Sequence, residues 1–285
     1  MLAFMGRDGI IDVSGLSPLE QTALLTEYAR ALDSRWARPI LGDALADRVI
    51  KKIDYDFTGL GVPDSVVCQS ALRAKMLDDR VRAFTAENPD AVVVDLGAGV
   101  DSGPIRVDPP ATVDWYSVDL PRVIALREQV LPSSEHAHSV VASVADHDWP
   151  AAVPADRPTM LIADGLFAFL SESVIVDLFR RITEYFGSGE IAFNDYGRIG
   201  WFSRLAVKMA PQKMFSSVGS QWGYAGFKDA RVPESWSPRL TLADEASLAR
   251  APEVELFPGW IRFATKVSRK FEAGARKARI LRYRF

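Results

Sequence analysis

Three stretches of this 285-residue chain carry residue types that could do chemistry, and two of them have spacings suited to holding a nucleoside. The first is Asp95-Leu96-Gly97-Ala98-Gly99-Val100-Asp101, directly after the β-branched run AVVVDL and ahead of a helical segment. Glycines there let the backbone turn sharply at a strand end and let a ligand approach the main chain. A full dinucleotide fingerprint needs a third glycine three residues after the second, but that position is Ser102, and Gly103 comes one late. The pattern of two glycines followed by an acid suits a nucleoside without pyrophosphate better than NAD. A tight strand-to-helix connection alone would also account for the glycines. The second stretch ends in Asp119, 22 residues after Gly97, where a carboxylate can accept both hydrogen bonds of a ribose diol. NAD would use the same residue, and an aspartate before Leu120-Pro121 can equally cap a helix. The third is Asp195-Tyr196, closing an apolar run. These are the catalytic candidates left once the histidines are set aside, although an aspartate there is often a turn former.

Other chemistries find little support. His136, His138 and His147 all fall around the third strand, away from the expected substrate cover. The single cysteine, Cys68, excludes an intramolecular disulfide framework and a multi-cysteine zinc site, so no metal is expected. A net charge of -3 argues against nucleic acid as a partner. The stretch from Arg262 to Phe285 is different, with nine Lys/Arg and one acid, Glu272. It reads as a solvated helix face with edge-strand charges, or else as an anion- or membrane-attracting patch. No run reaches the ~18 apolar residues of a bilayer span, and the N-terminus lacks a signal-peptide pattern. The expectation is a cytoplasmic protein with a small-molecule substrate and no membrane partner.

The elements that must position these residues follow from periodicity. Residues 1–90 read as a helical cap: a start at Ser17-Pro18 with Glu20, a helix over about 41–53 and another over about 65–85. Strands are predicted at 91–96, 113–118, 139–142, 159–163 and 190–194, with helices at 121–130 and 173–186. Alternation of this kind means a doubly wound α/β sheet within a domain spanning 91–285. After Asp195 the rhythm stops. Residues 196–236 hold eight aromatics, which suit either packed helices or a lid at about 197–236. Residues 239–248, a helix near 260–271 and a strand at 280–285 complete the chain.

The segments YARALDSR, RPILGDALADRV, KIDYDF, LRAKMLDDRVRAF, VVVDLGAGVDS, WYSVDLPRVIALRE, ASVADHDW, ADGLFAFL, GSGEIAFNDY and LRYRF together resemble the leucine carboxyl methyltransferase superfamily. Within it they resemble the bacterial branch of tetracenomycin-type polyketide O-methyltransferases. The resemblance runs through nearly the whole chain in order. It implies a Rossmann-like class I methyltransferase fold, S-adenosyl-L-methionine as cofactor (S-adenosyl-L-homocysteine as product), and a lid from the N-terminal helices plus an insertion after the fifth strand. Carried over by residue, it puts Arg73 on the cofactor carboxylate and Gly97, with Ala98 and Gly99, beside the methionine portion. Asp119 and Leu120 fall at the ribose, Ser143 and Val144 at the adenine, Asp164 near the methionine part and Arg30 on the first cap helix. Trp201, Phe202, Trp222 and Tyr224 are the expected lid residues over the substrate. The chain departs from the family pattern at Asp164, where glutamate is usual, at Phe169, where tyrosine is usual, and at Gly103, where an arginine is often found.

The resulting expectation is O-methyl transfer to a small organic acceptor, with a carboxylate favoured because it is ionised at neutral pH and needs no base. Two alternatives remain open: a catalytically silent protein that binds the same cofactor, and an NAD-dependent oxidoreductase.

Overall fold

The computed structural model describes residues 10–196, 223–224, 226–276 and 278–285. It opens with β1 (Ile11–Asp12), α1 (Thr22–Ser34), α2 (Ala44–Ile50), β2 (Ile53–Asp54) and the long α3 (Asp64–Glu87). Strands and helices then alternate: β3 (Val92–Leu96), α4 (Gly103–Val107), β4 (Asp114–Asp119), α5 (Pro121–Val130), β5 (Ala137–Val141), β6 (Thr159–Ala163), α6 (Glu172–Tyr185) and β7 (Gly189–Asp195). The last described part holds β8 (Thr241–Ser247), α7 (Gly259–Ser268), α8 (Glu272–Ala275) and β9 (Arg279–Arg284).

Seven strands form one sheet in the order β5-β4-β3-β6-β7-β9-β8. The first five are parallel, whereas β9 pairs antiparallel with both β7 and β8. From β3 the chain winds outward through β4 and β5, then returns to lay β6 and β7 on the other side. The winding therefore reverses between β3 and β6, and a crevice opens where their carboxyl ends diverge. The doubly wound α/β fold is as expected. β1 and β2 form a separate parallel pair that periodicity does not reveal, because each is only two residues long.

Burial explains both faces. Every residue of β3 and β6 is buried, as strands covered by helices on both sides require. On one face Leu72, Met76, Leu77, Val81 and Phe84 of α3 share a core with Val93, Met160, Ile162 and Ala192. Residues on both sides of the expected boundary at residue 90 thus share one core, in which α3 packs on the sheet. α1 and α2 do form a cluster of their own, in which Leu24, Tyr28 and Val49 meet Val100 beside the glycine turn and Leu126 of α5.

Local signals also hold at the chain's first turn. The Ser17 N–H donates to Glu20 Oε2 at 2.8 Å and the Glu20 N–H to Ser17 Oγ at 3.4 Å, a reciprocal cap. α2 is shorter than the periodicity predicts because Asp43, accepting from the Leu45 and Ala46 N–H groups, starts it late. Among the described residues no helix is long and apolar enough to cross a membrane.

Candidate cofactor and active site

The turn after β3 is the floor of the site. Gly97 and Gly99 adopt φ of +68° and +56°, conformations that side chains rarely take. A β-carbon at Gly97 would come within 3.0 Å of Leu166 Cδ1, and one at Gly99 within 3.4 Å of Ala23 Cβ on α1. The Gly97 and Ala98 N–H groups both donate to the Val118 carbonyl, which ties the turn to β4. Asp119, at the end of β4, accepts the Gly99 N–H on Oδ2 and the Leu120 N–H on Oδ1, each at 2.7 Å. Burial raises its pKa, and these two N–H groups pull it back. Each carboxylate oxygen keeps a further acceptor position.

Buried cations brace the turn from outside. Arg127 of α5 donates to the carbonyls of Gly99 and Asp101, the latter at 2.6 Å. Arg30 of α1 pairs with Asp101 at 2.9 Å and with Glu27 at 2.8 Å. Arg106 of α4 reaches Asp43 and Asp78 at 2.7 Å each, and also Asp101. Burial opposes charge on Asp101, but Arg106 and Arg30 overcome it and hold the carboxyl well below the usual range.

One cavity of about 1000 Å³ opens over this floor. It is lined by all ten residues expected to contact the cofactor: Arg30, Arg73, Gly97, Ala98, Gly99, Asp119, Leu120, Ser143, Val144 and Asp164. They come from α1, α3 and the carboxyl ends of β3, β4, β5 and β6, so the topology gathers what is scattered over 135 positions of sequence. The C-terminal third adds Phe227, Leu248, Phe257, Thr265 and Ser268. Such a volume lies at the upper end of small-ligand pockets, which run ~300–1,000 Å³.

The departures from the family pattern are accommodated. Asp164, though a methylene shorter than glutamate, meets Arg73 Nε at 2.7 Å. Phe169 lines the cavity. Gly103 sits beneath the Trp115 indole, where a β-carbon would come within 3.1 Å of the ring, so a longer side chain has no room. Arg106, one turn further on, supplies a guanidinium to Asp101 instead.

The two catalytic candidates part company. Tyr196 lines the cavity, and the Arg73 guanidinium lies 5.4 Å from its ring centre. Burial raises its phenol pKa against the pull of Arg73. Asp195 is buried, accepts from Arg279 Nε at 2.8 Å and from the Phe227 N–H, and is not among the cavity-lining residues. That ion pair takes it out of contention as a free base. None of the three histidines lines the cavity. His136 and His138 meet Asp114 at the start of β4, the opposite edge of the sheet, and His147 faces Asp177. Of the expected lid residues, Trp201, Phe202 and Trp222 lie outside the described residues. Tyr224 is described, and it does not line the large cavity: its ring packs 5.1 Å from Phe227 beside a small crevice with Asp195.

Sequence reasoning passed over Asp95, Arg127 and the lining from α7. Asp95 is buried in the cavity wall at the base of the turn, and burial first, then the charge of Asp101, raises its pKa to about 7. Its place just before the glycine turn was a usable signal. Arg127 was hidden because its partners are main-chain carbonyls.

Comparison with known proteins gives a consistent result. Residues 23–183 match the family model described as leucine carboxyl methyltransferase. The chain is 35% identical, over 83% of its length and 86% of the relative's, to the tetracenomycin polyketide synthesis O-methyltransferase TcmP of Streptomyces glaucescens. It is 32% identical, over 79% of its length and 80% of the relative's, to the S-adenosyl-L-methionine-dependent methyltransferase dpfgK of Gibberella zeae. A solved structure from Thermobifida fusca, assigned as a methyltransferase, aligns over 91% of this chain and 94% of its own at 16% identity, with a TM-score of 0.56.

Proposed function

This chain belongs to the leucine carboxyl methyltransferase family, whose members are S-adenosylmethionine-dependent methyltransferases, and on that footing we propose that it methylates an oxygen of a small organic acid. The observation carrying this reading is the single cavity shared by the glycine turn, Asp119 and Arg73, with room beyond them for a second molecule.

The residues present fit the cofactor. Its adenosine needs a close main-chain approach and paired acceptors for the ribose hydroxyls, which the turn at Gly97–Gly99 and the remaining lone pairs of Asp119 offer. Leu120, Ser143 and Val144 would border the base. Its amino-acid end carries a carboxylate and an ammonium, and Arg73 beside Asp164 presents complementary charges for both. Arg30 would act from α1 through Asp101, which it pairs. When bound, S-adenosylmethionine supplies an electrophilic methyl group on a sulfonium.

What this chain contributes is alignment and exclusion of water. An acid acceptor arrives ionised at neutral pH and requires no proton removal. Of the expected candidates, Asp195 is paired with Arg279, no histidine lines the cavity, and burial raises the Tyr196 phenol pKa. Residues 197–222 contain no Asp, Glu, His, Cys or Tyr, and four Lys/Arg. Polyketide-like and other secondary-metabolite acids are the substrate class this favours.

The test is incubation with isotopically methyl-labelled cofactor and a metabolite extract fractionated into acids and phenols, read by mass spectrometry. Label appearing as base-labile methyl esters is the expected result. Label confined to phenolic ethers would overturn the acceptor class. Binding of S-adenosylhomocysteine with no transfer to any fraction would favour a silent binding protein.

A further inference from the structure

α7 is turned inside out. A surface helix ordinarily buries its apolar stripe and exposes its polar one. Here Trp260, Phe263 and Val267 lie on the outward face at 70%, 71% and 40% exposure, and Phe271, at 66%, continues the row past the helix end. Their spacing of three to four residues puts them on one side of the helix. The inward side carries Ile261, buried in the core, and the small hydroxyl residues Thr265 and Ser268, which line the cavity. Among the described residues, none of the four outward side chains belongs to a buried core cluster.

Charge within the segment is one-sided, with Glu255 before it and Glu272 after it. Residues 259–271 contain Arg262, Lys266, Arg269 and Lys270 and no acid, although the chain as a whole is acidic, at -3. Lys266 is paired with Glu255 at 2.6 Å, and Arg262 donates to the Glu255 carbonyl. Lys270 is exposed, on the flank of the aromatic row. An outward row of Trp and Phe edged by cations is the make-up of a helix that lies in a bilayer interface rather than crossing it.

We propose that α7 and Phe271 dock the protein on an anionic lipid surface, aromatic row inward, with Lys270 at the headgroups. The lack of a spanning helix among the described residues bears on transmembrane insertion and leaves this peripheral mode untouched. Because the same helix lines the cavity with Thr265 and Ser268, docking would bring the cavity wall to the membrane, where an apolar acid accumulates. An acidic protein surface would match the cations but leaves the wide, continuous aromatic row without a counterpart, so the lipid surface is the occupant favoured here.

The test is co-sedimentation of the full chain with vesicles of phosphatidylcholine alone and of equal parts phosphatidylcholine and phosphatidylglycerol. The expected result is binding to the mixed vesicles, loss of that binding at high salt, and a drop of at least about tenfold in the partition coefficient for Phe263→Ser with Phe271→Ser. Lys270→Glu should weaken it with the aromatic row intact. S-adenosylhomocysteine affinity and the unfolding midpoint of these variants should match wild type, which separates lost docking from lost folding. No binding to either vesicle would overturn the proposal. So would serine variants that melt earlier, or that lose any self-association of the wild type, without altering vesicle binding, because the row would then be covered by this chain or by a second copy.

Discussion

The Asp119 carboxylate accepts the Gly99 N–H at 2.7 Å, so the ribose acid and the glycine turn are two halves of one hydrogen-bonded unit. Removing the acid therefore does two things: it deletes the acceptors for a diol and it releases the turn. Asp119→Ala should weaken S-adenosylhomocysteine binding by about 2 kcal/mol or more, roughly thirtyfold in Kd, by titration calorimetry. An unchanged affinity would remove Asp119 from the cofactor site.

Gly97→Ala asks more of the turn than its one added methyl suggests. The new β-carbon would sit 3.0 Å from Leu166 Cδ1 and the residue would stay at φ +68°. The left-handed conformation alone is worth roughly 1–2 kcal/mol. Thermal unfolding should show a Tm several degrees below wild type, together with weaker cofactor binding; full retention of both would mean that the turn relaxes freely.

Arg73 and Asp164 form a pair that faces the cavity rather than closing a surface. Arg73→Ala should lower S-adenosylhomocysteine affinity by at least about tenfold, while methylthioadenosine, which lacks the amino-acid end, should bind almost as before. Equal losses for both ligands would show that Arg73 acts by shaping the pocket and not by pairing with the carboxylate.

Asp195 has a structural assignment that can be separated from catalysis. Its partner Arg279 is almost wholly buried and also holds Glu245 and the Phe227 carbonyl. Arg279→Ala strands a buried carboxylate and should destabilise the fold by about 3–5 kcal/mol in urea unfolding. Asp195→Asn should also lower stability but leave cofactor affinity unchanged. A stable Arg279→Ala protein would return Asp195 to the list of candidate bases.

Asp95 should give the protein a pH-dependent stability. Its pKa is raised to about 7 by burial and by Asp101, against Arg127 and Arg30, whereas an unfolded aspartate titrates near about 4. The folded state then holds the proton more tightly than the unfolded one. This group's share of stability falls as pH rises from about 4 to about 7 and is level beyond. Asp95→Asn lacks that fall, so its advantage over wild type in urea midpoint should be larger near pH 8 than near pH 5. An advantage independent of pH would place the carboxylate's proton elsewhere.

Legibility from sequence followed the range of the interactions. The glycine turn, Asp119 and the five parallel strands are encoded within a few residues each, by β-branched runs and by Pro121 at the first turn of α5. Their expected limits lie within a few residues of those observed. The ion pair of Asp195 is not legible locally because its partner comes 84 positions later. β8 reads as TLADEAS, a half-exposed edge strand whose acids meet Arg80 and Arg279, so it lacks the apolar alternation that would give it away. The placement of α3 on the sheet was illegible for a further reason. Its helical period is plain, but no pattern within it says which surface it covers.

Arg106 bonds to Asp43 at the start of α2, Asp78 on α3 and Asp101 in the glycine turn with a single guanidinium. Three segments distant in the chain thereby share one counter-ion. A segment that swings away takes its carboxylate from the guanidinium and loses an ion pair formed in a poorly hydrated interior. The three segments are thus coupled through one side chain, and occupancy of the nucleoside crevice should be felt as slower amide exchange at Leu45 and Ala46, which no ligand atom need touch.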